Sequence, residues 1–311
     1  MVVDTTPKQG LSLPCNRVSN LKFIHFPFGT MPAPDFIIIG GQKCGTTWLR
    51  YHLRQHPDVY VPTNEAQFFN RSQNLAKGQD WYESFFSKAG PNQVVGDKSP
   101  DYLWTTSDGA RNHIVGSHER IHELYPDMKL VVTLRNPVNR AVSALNHFIR
   151  RGHISPLYGI DALLFGAEHA RIEGLGIIEK GFYYRELRCY LDLFPADQVL
   201  LLVFEEDILQ TPQRTLTRLY DFIGVDPSVE MTDLDRKRGE HYLSLLGLLL
   251  QYYVLPKDLV KLLDRPLPSA KLNPSPDNVL RLYEIYEEEN EKLFELIGRR
   301  PASWVPHSGP S

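Results

Sequence analysis

The sequence predicts an α/β fold in which helices flank a central parallel sheet, and two observations carry that prediction. Four short apolar runs, "DFIII" at 35–39, "VVG" at 94–96, "KLVVTL" at 129–134 and "VLLLVF" at 199–204, are continuous or β-branched rather than amphipathic. That is the pattern of strands buried on both faces. Between them lie segments with helical spacing and their own start and stop signals, and such an alternation reads as a parallel sheet covered on both sides.

Taken in order, residues 1–33 mix Pro, Gly and polar residues around "LKFIHF", the composition of an arm or edge strand ahead of the main fold. After the first strand, "TTWLRYHLRQH" spaces Leu49 and Leu53 four apart and stops at His56-Pro57, where proline disfavours helix at the residue before it. "NPVNRAVSALNHFIRR" has Pro137 near its first turn and repeats Val138, Ala141, Leu145 and Phe148 on one face. "TPQRTLTRLYDFIG" offers Thr211 as cap, Pro212 as first helical residue and Gly224 as stop. From about 226 the strand-like runs end. Helices around 240–255 and 278–298 follow, joined by the Pro-rich "DRPLPSAKLNPSPD", and 301–311 form a tail.

At 311 residues and 42% hydrophobic content the chain can bury a full core, and one domain over 34–300 is the expected organisation. A net charge of −3 and a pI near 6.4 give no basic character for a nucleic-acid partner, although local clusters can still hold a small anion. Cys15, Cys44 and Cys189 are odd in number and widely spaced, which argues for free thiols in a reducing compartment. "MVVDTTPKQG" has no secretory pattern, and "LSLLGLLLQYYVL" at 243–255 is too short to cross a bilayer. The expectation is a cytoplasmic protein without a membrane span.

The stretch "IGGQKCGTTWL" at 39–49 carries the chemistry. A strand that runs into Gly40, Gly41 and Gly45 lets the backbone approach an anion, the helix starting near Thr46 points its free amides at it, and Lys43 adds a full charge. The spacing departs from the nucleotide-triphosphatase loop GxxxxGK[ST], because Thr46 follows the second glycine and the lysine stands two residues before it. A second anion site is suggested by "KLVVTLRNPVNRAVSALNHF". Arg135 ends a strand and Ser143 sits eight residues on, two turns into the next helix, so a guanidinium fork and a hydroxyl can share one phosphate.

"QKCGTTWL" behind an apolar strand resembles the 5′-phosphosulfate loop of sulfotransferases that use 3′-phosphoadenosine 5′-phosphosulfate (PAPS), and the Arg135 to Ser143 stretch resembles their 3′-phosphate motif. "HPDVYVPTNEAQFFN" (56–70) is similar to the glutamate segment of the heparan-sulfate (glycan) branch, "VVGDKSPDYL" (94–103) to its second lysine segment, and 181–225 and 283–299 to its later portions. The likeness covers roughly 34–300. It implies a P-loop-like sulfotransferase fold with a helical C-terminal part, PAPS as co-substrate, 3′,5′-bisphosphoadenosine (PAP) as product, and no metal. It assigns Glu65 as general base, Lys43 and Lys98 as catalytic cations, and Lys43, Cys44, Gly45, Thr46, Thr47, Trp48, Arg135, Ser143 and Tyr183 as cofactor contacts. Two positions depart from it. Gln67 stands where relatives often have histidine, and the C-terminal Lys-Gly-Arg loop is missing, with the loop 264–276 and its Arg265 and Lys271 as stand-in.

The expected acceptor is a hydroxyl on a glycan, a lipid, a small metabolite or an acyl chain on a carrier protein. Phe68, Phe69, Trp81, Tyr82, Phe148 and Tyr158 are candidate cleft aromatics, with Arg150, Arg151, Arg236, Lys237 and Arg238 as candidate anion contacts. Three rival readings stand beside this one. "HERIH" at 118–122 matches a zinc hydrolase motif, Glu205 to Asp207 after a strand could hold magnesium in a triphosphatase or kinase, and a nucleotide-binding module without catalysis fits the same loop.

Overall fold

The computed structural model describes residues 32–107, 113–234, 243–254, 260 and 271–305. Five strands, β1 (Phe36–Gly40), β2 (Val59–Tyr60), β3 (Val94–Lys98), β4 (Lys129–Leu134) and β5 (Val199–Val203), form one sheet in the order β2-β3-β1-β4-β5. Every pairing is parallel, with Ile38 opposite both Lys98 and Val131, and Val131 opposite Leu200. The helices are α1 (Thr46–Leu53), α2 (Ser72–Leu75), α3 (Gln79–Glu83), α4 (Ser117–Leu124), α5 (Pro137–Arg150), α6 (Ile160–Phe165), α7 (Tyr183–Leu191), α8 (Pro212–Ile223), α9 (Leu245–Tyr253) and α10 (Pro276–Ile297).

Side chains of a strand alternate between faces, and β1 serves both of them. Ile37 and Ile39 join Val132, Ile121 of α4 and Leu187 of α7 on one side. Phe36 and Ile38 join Val131, Leu49 of α1 and Leu216 of α8 on the other. All five β1 residues are buried, which accounts for a run with no polar alternation. A third cluster, around Leu145 and Phe148 of α5, Leu163 of α6 and Leu282 of α10, lies beyond the sheet.

Pro137 and Pro212 begin α5 and α8, and Gly224 ends α8 in the left-handed conformation (φ 86). Local detail corrects three expectations. Thr211 starts α8 but its hydroxyl donates to Glu206 O and Asp207 O instead of capping the helix. Val59–Tyr60 is an additional strand too short to read from period. Cys189 is disulfide-bonded while Cys44 is a free buried thiol, so wide spacing misjudged the thiols and their argument for a reducing compartment lapses. No helix of the described residues is long and apolar enough to cross a membrane. The expected arm falls outside the described residues except 32 and 33, as do Arg236, Lys237, Arg238 and Arg265.

Gly96 of β3 lies opposite Phe36, and a Cβ there would stand 2.2 Å from the Phe36 ring. Gly96→Ala therefore overpacks the sheet centre, and chemical denaturation should show a loss of about 1–3 kcal/mol. A variant as stable as the parent would mean that the β1–β3 seam relaxes freely.

Candidate active site

In the strand order β1 lies between β3 and β4, and the chain crosses from the β2–β3 side of β1 to the β4–β5 side after β3. The carboxyl ends of these strands open a crevice where ligands bind in open α/β sheets. A cleft of about 1190 Å³ occupies it, lined by Lys43, Gly45, Thr46, Thr47 and Trp48 from the loop after β1, and by Glu65, Lys98, Arg135 and Ser143.

The loop after β1 is built for close approach. Gly41 donates its amide to Thr133 O at 2.6 Å, which ties the turn to the end of β4. Gly45 has φ 94, and a Cβ there would meet the Phe204 ring at 2.7 Å, so both backbone and space demand glycine. No side chain caps α1. Its first amides thus carry no side-chain cap, the arrangement that suits an anion at a helix start. Lys43 Nζ stands 3.5 Å from His147 Nδ1, and its pKa falls to about 8 because burial disfavours the ammonium and Arg150, Arg135 and Lys98 repel it. With Arg151, four cations act on this half-buried ammonium and make a local field that an anion relieves.

Arg135 leaves β4 with its guanidinium 4.8 Å over the Phe204 ring and Nη1 donating to Lys43 O at 3.1 Å. Its Nε has no hydrogen-bond partner among the described residues, and Glu205 Oε1 is 3.8 Å away. Half-buried Ser143 on α5 lines the same cleft. These groups fit a nucleotide with a charge at each end: one cradle of glycines and a lysine, one arginine with an orphaned donor, and a hydroxyl.

Other assignments divide. Trp48 lines the cleft and its indole donates to Leu234 O at 3.3 Å. Cys44 and Tyr183 do not line it. The Cys44 sulfur lies in the core 3.6 Å from the Tyr183 hydroxyl, burial pushes its thiol up to about 11, and Tyr183 donates to Arg135 O at 2.9 Å. Both therefore touch the cleft-lining segments from the core side, through the loop after β1 and the backbone of Arg135. Lys271 is exposed and outside the lining.

Glu65, half-buried, follows β2, and Lys98, 4% exposed, ends β3; Lys98 Nζ pairs with Glu65 Oε1. Burial lowers the Lys98 pKa, opposed by the Glu65 carboxylate. Ser99 caps no helix. Its hydroxyl donates to Asp97 Oδ1 at 3.1 Å and accepts from the Gln67 amide at 3.2 Å. Of the candidate aromatics only Phe148 reaches the cleft. Phe68, Phe69 and Tyr82 are fully buried against one another, Trp81 packs on the same cluster, and Tyr158 carries the Arg171 guanidinium.

Sequence reasoning missed Asp101, Lys180, Trp104 and Arg71, which share the cleft. Lys180 Nζ donates to Asp101 Oδ1 at 2.8 Å and lies 4.5 Å over the Trp104 ring; Gln42 Nε2 donates to the same carboxylate oxygen at 3.2 Å. Partners 79 positions apart in the chain leave no local signal.

The rival metal sites are otherwise occupied. His118 is buried with Nδ1 2.8 Å from Thr105 Oγ1, and His122 packs edge-on to Phe194. Glu205 accepts from the amide of Asn136 and the indole of Trp304, while Asp207 accepts from the Val203 amide, Arg218 and Arg299. Among the described residues no three His, Cys, Asp or Glu gather as a metal would need.

A family model described as a sulfotransferase domain matches residues 33–240. Over 199 residues the chain is 32% identical to mouse heparan sulfate glucosamine 3-O-sulfotransferase 3B1, covering 63% of this chain and 47% of that protein. Over 273 residues it is 29% identical to human heparan sulfate glucosamine 3-O-sulfotransferase 6, covering 86% of this chain and 72% of that protein. The match thus spans about half the length of the first of these relatives. Among solved structures, a sulfotransferase from Alicyclobacillus acidocaldarius aligns with TM-score 0.64 at 25% identity, covering 88% of this chain and 99% of that one.

Proposed function

Because the chain belongs to the sulfotransferase domain family, we propose that it moves the sulfuryl group of PAPS to an acceptor hydroxyl by in-line displacement. The acceptor oxygen forms a bond to sulfur as the bond from sulfur to the 5′-phosphate oxygen breaks. The electron pair leaves on PAP, and the hydroxyl proton passes to Glu65. Little covalent work falls to the protein, so alignment and neutralisation of charge dominate. Lys43 and Lys98 stabilise the sulfuryl and bridging oxygens, Gly45, Thr46 and Thr47 hold the 5′-phosphate, and Arg135 with Ser143 holds the 3′-phosphate. Trp48 walls the nucleotide, and Cys44 and Tyr183 act through the backbone they support. Glycan relatives point to a glycan hydroxyl as acceptor.

The observation that supports this reading is the convergence of Lys43, Glu65 and Lys98 on the same cleft as Arg135 and Ser143, where β1, β3 and β4 end. Calorimetry tests it. PAP should bind without magnesium and ATP should not compete. Arg135→Ala should weaken PAP about 10- to 100-fold, the loss of a charge-assisted hydrogen bond, while leaving 5′-AMP nearly unaffected. Equal losses for both nucleotides would detach Arg135 from the 3′-phosphate. An acceptor panel with labelled PAPS, including heparan sulfate, then identifies the hydroxyl.

A further inference from the structure

We infer that Gln67 is a positioning residue that aims the Glu65 carboxylate, with Arg71 and Asp101 behind it. The inference rests on the sulfuryl-transfer reading of the site and adds a role to a residue that reading leaves unused.

Gln67 holds a left-handed backbone (φ 46), a conformation that costs any residue with a Cβ and that glycine adopts freely. A glutamine kept there in a cleft points to work done by its side chain. The work is visible in the hydrogen bonds. Gln67 Nε2 donates to Glu65 Oε2 at 3.2 Å, and Gln67 Oε1 accepts from Arg71 Nε at 2.9 Å. An arginine can only donate and a carboxylate only accept, so the amide has one permitted orientation. Arg71 is itself held, with Nη2 3.9 Å from Asp101 Oδ2, and Asp101 is anchored by Lys180 and Gln42. Burial raises the Asp101 pKa, but Lys180 and the other cations around it hold the carboxyl below its usual value.

The backbone is fixed as firmly as the side chain. The Gln67 amide donates to Ser99 Oγ, the Phe68 amide donates to the Tyr102 hydroxyl at 2.8 Å, and Ala66, Phe68 and Phe69 on either side are buried. Glu65 therefore has Lys98 on Oε1 and the Gln67 amide on Oε2. Its plane cannot rotate without breaking one of them, which leaves a lone pair in a set direction for the acceptor proton. The amide does not titrate, so this alignment holds across pH.

Two variants test the inference. Gln67→Met keeps the length and apolar stem and removes both hydrogen bonds. Gln67→His restores one donor and one acceptor while its imidazole is neutral, and loses the acceptor when protonated, with Arg71, Lys98, Glu65 and Asp101 as the charges around it. PAP release from PAPS is followed with an N-sulfated heparan oligosaccharide as acceptor probe and with water alone, beside PAP affinity by calorimetry and the melting temperature. Gln67→Met should slow release about tenfold or more, the scale of a lost charge-assisted hydrogen bond, with PAP affinity and melting temperature near those of the parent. Gln67→His should recover part of the rate at high pH and lose it through the imidazole range near 6.5, an inflection that Gln67→Met lacks. The inference is overturned by a Gln67→Met rate equal to the parent's, or by a loss matched by weaker PAP binding and a lower melting temperature. A parent protein that fails to bind PAP at all overturns the sulfuryl-transfer reading itself, and the role of Gln67 with it.

Discussion

Glu65→Gln should depress sulfuryl transfer by about 10²–10⁴, the range for removal of a general base, while PAP affinity stays close to the parent's. The carboxylate has two duties here, and they can be separated. In the proposed mechanism it accepts the acceptor proton, and in the fold it opposes the burial that lowers the Lys98 pKa. Without Glu65 the Lys98 pKa falls further, so part of the activity loss could come from an uncharged lysine. Acidification separates the two, since lower pH recharges Lys98 but cannot supply a base. A rate that stays low from neutral pH downward assigns the loss to the missing base. A rate that recovers on acidification assigns it to Lys98 and removes Glu65 from proton transfer.

Lys43→Met should cost about 10²–10³ in turnover, comparable to deleting a preorganised group that stabilises transition-state charge, and it should also weaken PAP. The pH dependence is the sharper readout. In the free protein Lys43 titrates at about 8, because burial and the neighbouring cations Arg150, Arg135 and Lys98 disfavour its ammonium. A bound phosphosulfate or phosphate favours that ammonium. Below pH 8 the charge is already present and affinity is flat. Above pH 8 binding must take up a proton, so affinity falls by as much as tenfold per pH unit, and calorimetry in buffers of different ionisation heat should detect the uptake. Lys43→Met should abolish both effects.

Stability moves the opposite way. A lysine whose folded pKa is lowered binds fewer protons folded than unfolded between about 8 and 10.5, so its penalty is full below pH 8 and lifts as pH rises. Lys43→Met should therefore melt higher than the parent at pH 7, with the advantage fading in alkali. A variant that melts lower at neutral pH would show that the charge is not strained in the free protein.

Much of the architecture was legible in the sequence. The runs that became β1, β3, β4 and β5, Pro137 and Pro212 as first helical residues, Gly224 as a stop and the glycine-lysine turn were all readable. These signals are local: side-chain period, fixed φ and a missing Cβ act within a few residues of chain. The motif order also brought Lys43, Glu65, Lys98, Arg135 and Ser143 into view, and all five line one cleft.

Tertiary structure alone decided which way the intervening side chains turn and with whom they pair. Cys44 stands between two residues that line the cleft, yet its sulfur goes into the core, and Tyr183 meets it there. Gln67 meets Glu65 and Arg71 within four residues of chain, but the Ser99 hydroxyl on its amide and the Asp101 carboxylate beside Arg71 come from distant segments, and Asp101 is held by Lys180 from 79 residues away. Such pairings are set where strand ends meet and where burial makes an unpartnered charge costly. That cost depends on neighbours distant in sequence, so no window along the chain contains it.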